Sequence, residues 1–197
     1  MMLGIEEAVL NAQVKRKLEE GLVISIDPAS GGSSMPGYAV SRARVFLEAG
    51  ILRLPKSENI AHRLHMLQQA LGLVSKKFCP DTGFDMLIIE NIAPTFGGKG
   101  FEKGRATQGV THLHWSVGAI LATQKWPTIV TVTPRTWHSW IKKTMCEGET
   151  NGLTFESEYD KTDANDALTM LAVVHDRCLG KVPGRFTVEL LRKKQKD

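Results

Sequence analysis

Two short, largely apolar runs that each end in an acid constrain the fold more than any other feature. LVISI at 22–26 precedes Asp27, and MLII at 86–89 precedes Glu90. Apolar runs of this length, bounded by turn-forming residues, are typical of strands buried on both faces, and such strands need helices on both sides of the sheet. The two runs therefore predict central strands of an α/β sheet.

The remaining segments predict further strands and helices around these two. The stretch 38–55 alternates apolar and polar residues, which favours two antiparallel strands with a turn near Ala49 and Gly50. Apolar residues at helical spacing predict helices at 60–74, at 105–125 and from Asp163 to about Leu179, and TIVTV predicts another strand. The expected architecture is a mixed five-stranded α/β sheet, with three antiparallel strands followed by parallel crossovers, flanked by helices.

Composition limits the class of protein but not its function. The chain has 197 residues, of which 42% are hydrophobic, and this suffices for one buried core. Its formal charge of +4 weakly supports a polyanionic partner. Cys79, Cys146 and Cys178 are widely spaced and form no CxxC pair, so neither a disulfide framework nor a zinc cluster is expected. The chain shows no signal peptide and no apolar stretch of membrane length, so we expect a cytoplasmic protein without a membrane partner.

Four acids are the candidate functional residues. Asp27 and Glu90 should meet, because neighbouring strands bring their ends to one edge of the sheet. Asp163 and Asp166 lie three residues apart on the last predicted helix and share a face. Such a set repels itself unless cations are bound, and two-metal phosphodiesterases use carboxylates to hold Mg²⁺. Structural alternatives remain open: Asp27 as a turn residue, and Asp163 as a helix cap with Asp166 in the first turn.

Four segments resemble parts of a known family of nucleases. IDPASGGSSMPGYAV at 26–40 resembles the opening of RuvC-type Holliday junction resolvases, in which a strand ends in Asp-Pro-Gly-Ser and a Gly-Tyr pair begins the next strand. MLIIENI at 86–92 matches the strand-ending Glu of that family, and KTDANDALTMLAV at 161–173 is similar to its carboxy-terminal helix with two acids. Segment 104–142 is similar to the helix, strand and helix between them, so the resemblance covers roughly residues 22–178.

The resemblance implies a fold, a reaction and a set of site residues. It implies an RNase H-like fold, a homodimer, dependence on Mg²⁺ with two ions bound and Mn²⁺ as a substitute, and paired nicking of a four-way DNA junction. Asp27, Glu90, Asp163 and Asp166 carry over as the catalytic, metal-binding acids. The expected organisation is an amino-terminal helical extension at 1–21, an RNase H-like nuclease domain at 22–180 and a basic tail at 181–197.

The chain also departs from the family pattern. Ala29 stands where the family tends to have glycine, and the loop between Asp27 and Tyr38 carries an insertion. The family commonly has an aromatic residue a few positions after its Glu, used near the centre of the junction; here Phe96 and Phe101 are the candidates for that wedge. Such a divergent form suits a phage or organellar branch, so an organelle is the alternative location.

Basic residues near the acids are the candidates for DNA binding. Lys99, Lys103 and Arg105 follow Glu90 in a glycine-rich segment, where they could contact phosphates entering an acidic site. The structural alternative is a solvated loop. A second candidate patch, which could equally be the charged face of a surface helix, has three members: Arg135, Lys142 and Lys143.

Histidines and tryptophans are interpreted as structural. His112 and His114 are two apart on a predicted helix and do not share a face, and His175 lies more than two helical turns beyond Asp166. None of the three is expected to serve a metal. The four tryptophans fit packing or dimer contacts better than base stacking: Trp115, Trp126, Trp137 and Trp140.

The sequence thus predicts a metal-dependent, structure-selective DNA endonuclease that resolves four-way junctions. One alternative keeps the fold and changes the substrate to an RNA/DNA hybrid, or to branched or packaged phage DNA. Another is a junction-binding protein without catalysis. An actin-like phosphotransferase also places an acid before a glycine-rich turn, but the chain is too short for its two lobes.

Overall fold

The computed structural model describes residues 1–28, 35–55, 59–90, 105–133 and 158–180, with backbone only at 105–110 and 158–162. Six strands and five helices lie in these ranges. The strands are β1 (Met2–Gly4), β2 (Leu22–Asp27), β3 (Gly37–Arg42), β4 (Val45–Ile51), β5 (Met86–Glu90) and β6 (Ile129–Val132). The helices are α1 (Ile5–Leu10), α2 (Ala12–Glu20), α3 (Ile60–Phe78), α4 (Arg105–Leu121) and α5 (Glu158–Leu179).

The strands form one mixed sheet in the order β1-β6-β5-β2-β3-β4. The consecutive strands β2, β3 and β4 pair antiparallel, whereas β5 pairs parallel with β2 and with β6. The predicted mixed α/β sheet is therefore confirmed, with six strands rather than five. The additional strand is β1, which pairs parallel with β6 and places Leu3 opposite Val130.

In the amino-terminal segment, which is expected to be a helical extension, a short strand precedes two helices. After β1, helix α1 ends at Leu10, and Asn11 separates it from α2. The Asn11 side chain accepts hydrogen bonds from the backbone N–H groups of Gln13 and Val14, at 2.9 and 3.2 Å. Because asparagine is a favourable N-cap, it begins a new helix here instead of continuing the first one.

The hairpin turn between β3 and β4 is also not at its predicted position. Ala49 and Gly50 lie inside β4, and the turn is formed by Ala43 and Arg44, whose φ angles are 47° and 67°. Two successive residues with positive φ make the two-residue turn that matches the twist of a hairpin. The sequence does not predict this turn, because alanine and arginine rarely adopt positive φ angles.

Two core layers cover the two faces of the sheet. Leu22, Ile24 and Ile26 of β2 are buried in the layer that contains residues of α3 and α4. Val23 is buried in the opposite layer, which contains residues of α1, α2 and α5. Side chains alternate along a strand, so Asp27 lies on the same face as Val23. The sheet therefore directs Asp27 toward the face covered by α5.

The helices differ from their predicted limits at their ends. Asn59 is the N-cap of α3, and its side chain accepts a hydrogen bond from the His62 N–H at 3.1 Å. Helix α4 stops at Leu121, and α5 begins at Glu158, five residues before Asp163. Among the helices in the described ranges, none has the length and apolar character needed to cross a membrane.

Candidate active site

Asp27 and Glu90 end two neighbouring parallel strands. The pairing of β2 with β5 places Ile26 opposite Ile89, and each acid is the next residue of its strand. Asp27 is only 8% exposed, and Glu90 is partly buried. The structure thus brings these two predicted site residues to the same carboxyl edge of the sheet.

Helix α5 carries the other two acids across this sheet. It packs against β2, β3, β4 and β5. Ala164 and Ala167, which are 1% and 0% exposed, form its buried face, and their small side chains permit close packing on the strands. Asp163 and Asp166 are partly buried beside them. Because the helix begins at Glu158, Asp163 is an interior residue and not the N-cap, so the capping interpretation is wrong.

The start of β3 links Asp163 to Asp27. Gly37, the first residue of β3, is paired with Asp27 in the antiparallel ladder, and its Cα lies against the backbone of Asp163. The backbone N–H of Met35 donates a hydrogen bond to Asp163 Oδ2 at 3.3 Å. From the sequence, Gly37 is recognised only as part of the Gly-Tyr pair that begins a strand, and it is given no role in the site. The available signal was a glycine at the first position of a strand, a common mark of close backbone approach.

The four carboxylates perturb one another electrostatically. Burial, together with the charge of Asp27, raises the pKa of Glu90 to about 7. Burial, and then the charges of Asp27, Asp163 and Glu90, raise the pKa of Asp166 to about 8. Neighbouring negative charge disfavours ionisation of a carboxyl group, so these perturbations report proximity. All four acids predicted from the sequence therefore belong to one electrostatic cluster, which we call the acid cluster.

Solved structures with the same arrangement of strands and helices have been found, although no protein-family model and no curated protein sequence matches this chain. One of them is Thermus thermophilus RuvC in complex with a Holliday junction substrate, at 14% sequence identity. The match covers 83% of this chain and 99% of that chain, with a TM-score of 0.52. This chain has a RuvC-like fold. The prediction of an RNase H-like sheet is thereby confirmed.

Two further solved structures match over most of their length with lower TM-scores. A second Thermus thermophilus RuvC structure shares 13% identity, covers 83% of this chain and 99% of that chain, and has a TM-score of 0.47. The yeast mitochondrial Holliday junction resolvase Ydc2 shares 13% identity, covers 93% of this chain and 88% of that chain, and has a TM-score of 0.48. Identities this low concern the fold and not the substrate.

The side chains of the acid cluster have the right chemistry for a divalent cation, but they are spaced too widely to hold one. Four carboxylates supply the oxygen ligands that Mg²⁺ and Mn²⁺ prefer. The raised pKa values of Glu90 and Asp166 show unfavourable charge that a cation would neutralise. Within the part of the chain that the structure describes, no three acidic, histidine or cysteine side chains are grouped closely enough to hold an ion. Cation binding at the acid cluster would therefore require these carboxylates to draw closer together.

Most of the predicted DNA-contacting residues lie outside the part of the chain that the structure describes. Arg105 is the first residue of α4, and only its backbone is described. The other members of the set lie outside the described residues: Phe96, Lys99, Phe101, Lys103, Arg135, Lys142 and Lys143. Their roles in the RuvC-like fold stay predictions.

His175 lies on the buried face of α5 and holds this helix to the sheet. It is 0% exposed, and its Nε2 shares a hydrogen bond of 3.3 Å with the hydroxyl oxygen of Ser41 on β3. Burial, and then the charge of Arg44, lower the pKa of His175 to about 4, so the imidazole is neutral at physiological pH. This contact agrees with a structural role for His175.

Two of the four tryptophans lie in described positions. Trp126 is buried and stacks on Phe84, with ring centroids 6.3 Å apart. Trp115 is 46% exposed on α4 and stacks on His112 at 5.7 Å. Trp126 is therefore a core residue, whereas Trp115 lies at the surface.

Proposed function

We propose that this chain is a metal-dependent, structure-selective DNA endonuclease that resolves four-way junctions by paired, symmetric nicks. The observation that carries the proposal is that four acids meet at one edge of the sheet. Asp27 and Glu90 end neighbouring strands, and the turn of α5 with Asp163 lies against Gly37, which is paired with Asp27. Their mutual charge adds to burial in raising the pKa of Asp166. Acids that lie close together at the carboxyl edge of a RuvC-like sheet, despite their mutual repulsion, are suited to two-metal hydrolysis of a phosphodiester. The choice of a junction as substrate follows the resemblance of four sequence segments to RuvC-type resolvases, and the Thermus thermophilus RuvC of similar fold is in complex with a Holliday junction substrate.

The four acids have distinct places in this proposal. Asp27 and Glu90 would hold divalent cations from the sheet, and Asp163 and Asp166 would hold them from α5. Mg²⁺, or Mn²⁺ in its place, would supply an activated water and would stabilise charge on the leaving oxygen. Glu90 and Asp166 retain protons near neutral pH in the metal-free protein, so they must release them before they can act as ligands.

Basic residues would draw DNA phosphates toward this negative site. Lys99, Lys103 and Arg105 follow Glu90 in sequence, and a second group consists of Arg135, Lys142 and Lys143. Positive side chains beside acids offset the repulsion between carboxylates and phosphates. Phe96 or Phe101 would act as the wedge near the centre of the junction.

Paired nicks on opposing strands need two active sites, and a homodimer would supply them. On the described surface, α3 and α4 pack together and expose large apolar side chains. Leu73 on α3 is 67% exposed, and Trp115 on α4 is 46% exposed. We propose these two side chains as candidates for the contact between subunits.

The direct test is cleavage of a synthetic four-way junction in Mg²⁺, beside linear duplex DNA and an RNA/DNA hybrid. We expect symmetric nicks in the junction. Cleavage should be lost in Asp27→Asn and retained in Asp176→Asn, which changes a residue near the carboxy-terminal end of α5. Cleavage of the hybrid alone would favour an RNase H. Tight junction binding without cleavage, unchanged when the acids are neutralised, would favour a non-catalytic binding protein.

A further inference from the structure

Gly37 lies closer to α5 than any residue with a side chain could. A Cβ atom added to Gly37 would sit 1.9 Å from the carbonyl oxygen of Asp163 and 2.4 Å from its carbonyl carbon. It would also lie 2.9 Å from the backbone nitrogen of Ala164. These are backbone atoms, so no side-chain rotation could relieve the overlap. The glycine therefore determines how closely the helix approaches the strand.

The strand side of this contact is tied firmly to the sheet. We call residues 35–37 the α5 seat. The N–H of Leu52 donates to the carbonyl oxygen of Pro36 at 2.7 Å, and the N–H of Leu54 donates to the sulfur of Met35 at 3.3 Å. Since both donors follow β4, the seat is held from the side of the sheet and not by α5 alone. When an atom is added at the seat, the helix is the part that must move.

The α5 seat lies between the two halves of the acid cluster. Gly37 is paired with Asp27 on one side, and on the other it supports the turn of α5 that carries Asp163, with Asp166 one turn further along. The sheet fixes the strand acids. The distance from the strand acids to the helix acids therefore depends on how deeply α5 sits.

We propose that Gly37 is a positioning residue that sets the depth of α5, and thereby limits the distance that the acids of the sheet and of the helix must close to bind the same divalent cations. This inference rests on the proposed metal-dependent function and adds to it the residue that controls the spacing of the acids. Gly37 itself touches neither metal nor DNA in this account. Its effect passes through the backbone of Asp163.

The expected effect follows from the size of the overlap. Ordinary contacts of a Cβ atom begin at 3.4 Å, so an alanine at this position would push the carbonyl oxygen of Asp163 outward by about 1.5 Å. Residues that orient metal ligands typically change metal affinity by about 10- to 100-fold when they are mutated. We therefore expect Gly37→Ala to raise the Kd for Mn²⁺ at least about tenfold.

The test is a calorimetric titration of the metal-free protein with Mn²⁺, at a temperature well below the unfolding transition of every variant. The matched control is Gly72→Ala on α3, where an added Cβ meets no atom within 4 Å. Weaker binding in Gly37→Ala, wild-type binding in Gly72→Ala and recovery of Gly37→Ala cleavage at high Mn²⁺ would support the positioning role. Wild-type Mn²⁺ affinity in folded Gly37→Ala would overturn it.

A second variant covers the case in which Gly37→Ala does not fold. Met35→Leu adds no atom against α5 and removes the sulfur that accepts the Leu54 N–H, so it loosens the seat without a clash. We expect a Kd for Mn²⁺ raised about two- to fivefold, and an unchanged Kd would overturn the proposal. If the wild type binds Mn²⁺ but cleaves no DNA, the nuclease proposal fails while these comparisons still decide the role of Gly37. A wild type that binds no Mn²⁺ would overturn both.

Discussion

Replacing Asp166 by asparagine should stabilise the metal-free protein while it removes the proposed activity. In the folded chain, burial and three neighbouring carboxylates raise the pKa of Asp166 from 3.8 to about 8. The folded protein therefore binds a proton at this position more tightly than the unfolded chain does. Stability contributed by this group is lost as pH rises from the unfolded pKa toward the folded one. Asp166→Asn keeps the shape of the side chain and removes this loss.

The size of the effect can be worked from the same pKa. A pKa raised from 3.8 to about 8 corresponds to about 6 kcal/mol of unfolding free energy at a pH above both values. Asp166 is only partly buried, so solvent screens part of this cost, and the asparagine amide must still be buried in its place. We expect Asp166→Asn to gain about 0.5 kcal/mol near pH 5 and about 2 kcal/mol near pH 8.5.

Urea unfolding in EDTA, measured from about pH 5 to about pH 8.5, gives this difference directly. Asp176→Asn is the matched control, since it changes the same residue type on the same helix, about 15 Å further along. Mg²⁺ should then stabilise the wild type more than Asp166→Asn, because the variant lacks one of the proposed ligands. A variant that is destabilised at high pH, or a gain that does not grow with pH, would refute the electrostatic account of the cluster.

Two further predictions concern the helix that carries the acids. The variant His175→Gln should be less sensitive to acid than the wild type. The pKa of His175 falls from 6.5 to about 4 on folding, so the wild type loses on the order of 3 kcal/mol of unfolding free energy as pH drops through this range. Urea unfolding of both proteins at about pH 4 and pH 7 measures the difference. Deletion of residues 1–21 should abolish cooperative thermal unfolding by circular dichroism, because Ile5, Ala8, Val14 and Leu18 are buried in the core beneath α5, each worth about 1 to 3 kcal/mol. A deletion that leaves the unfolding midpoint unchanged would contradict this packing.

The central part of the fold was predictable because its sequence signals are local. Strands β2 and β5 are buried on both faces, and such strands consist mostly of apolar residues. An acid at the end of such an apolar run is therefore easy to recognise in the sequence. The same reasoning places Asp27 and Glu90 at one edge of the sheet. It also places Asp163 and Asp166 on one face of a helix, which the structure turns toward that edge.

The features that the sequence did not reveal depend on contacts between distant segments. Strand β1 is three residues long and exists because it pairs with β6, far along the chain. The turn at Ala43 and Arg44 is imposed by the pairing of β3 with β4, against the usual preference of both residues for negative φ. The contact of Gly37 with α5 likewise joins segments more than 120 residues apart. Periodicity within a short window carries no information about such contacts.

The central claim is that the acid cluster holds divalent cations, and the most direct measurement is a crystal structure of the protein soaked in Mn²⁺. The account predicts two ions about 4 Å apart, with ligands from Asp27 and Glu90 on the sheet and from Asp163 and Asp166 on α5. Anomalous scattering would identify the ions without reference to activity. Saturating Mn²⁺ that leaves the four carboxylates without metal, or that binds only elsewhere on the chain, would contradict the account.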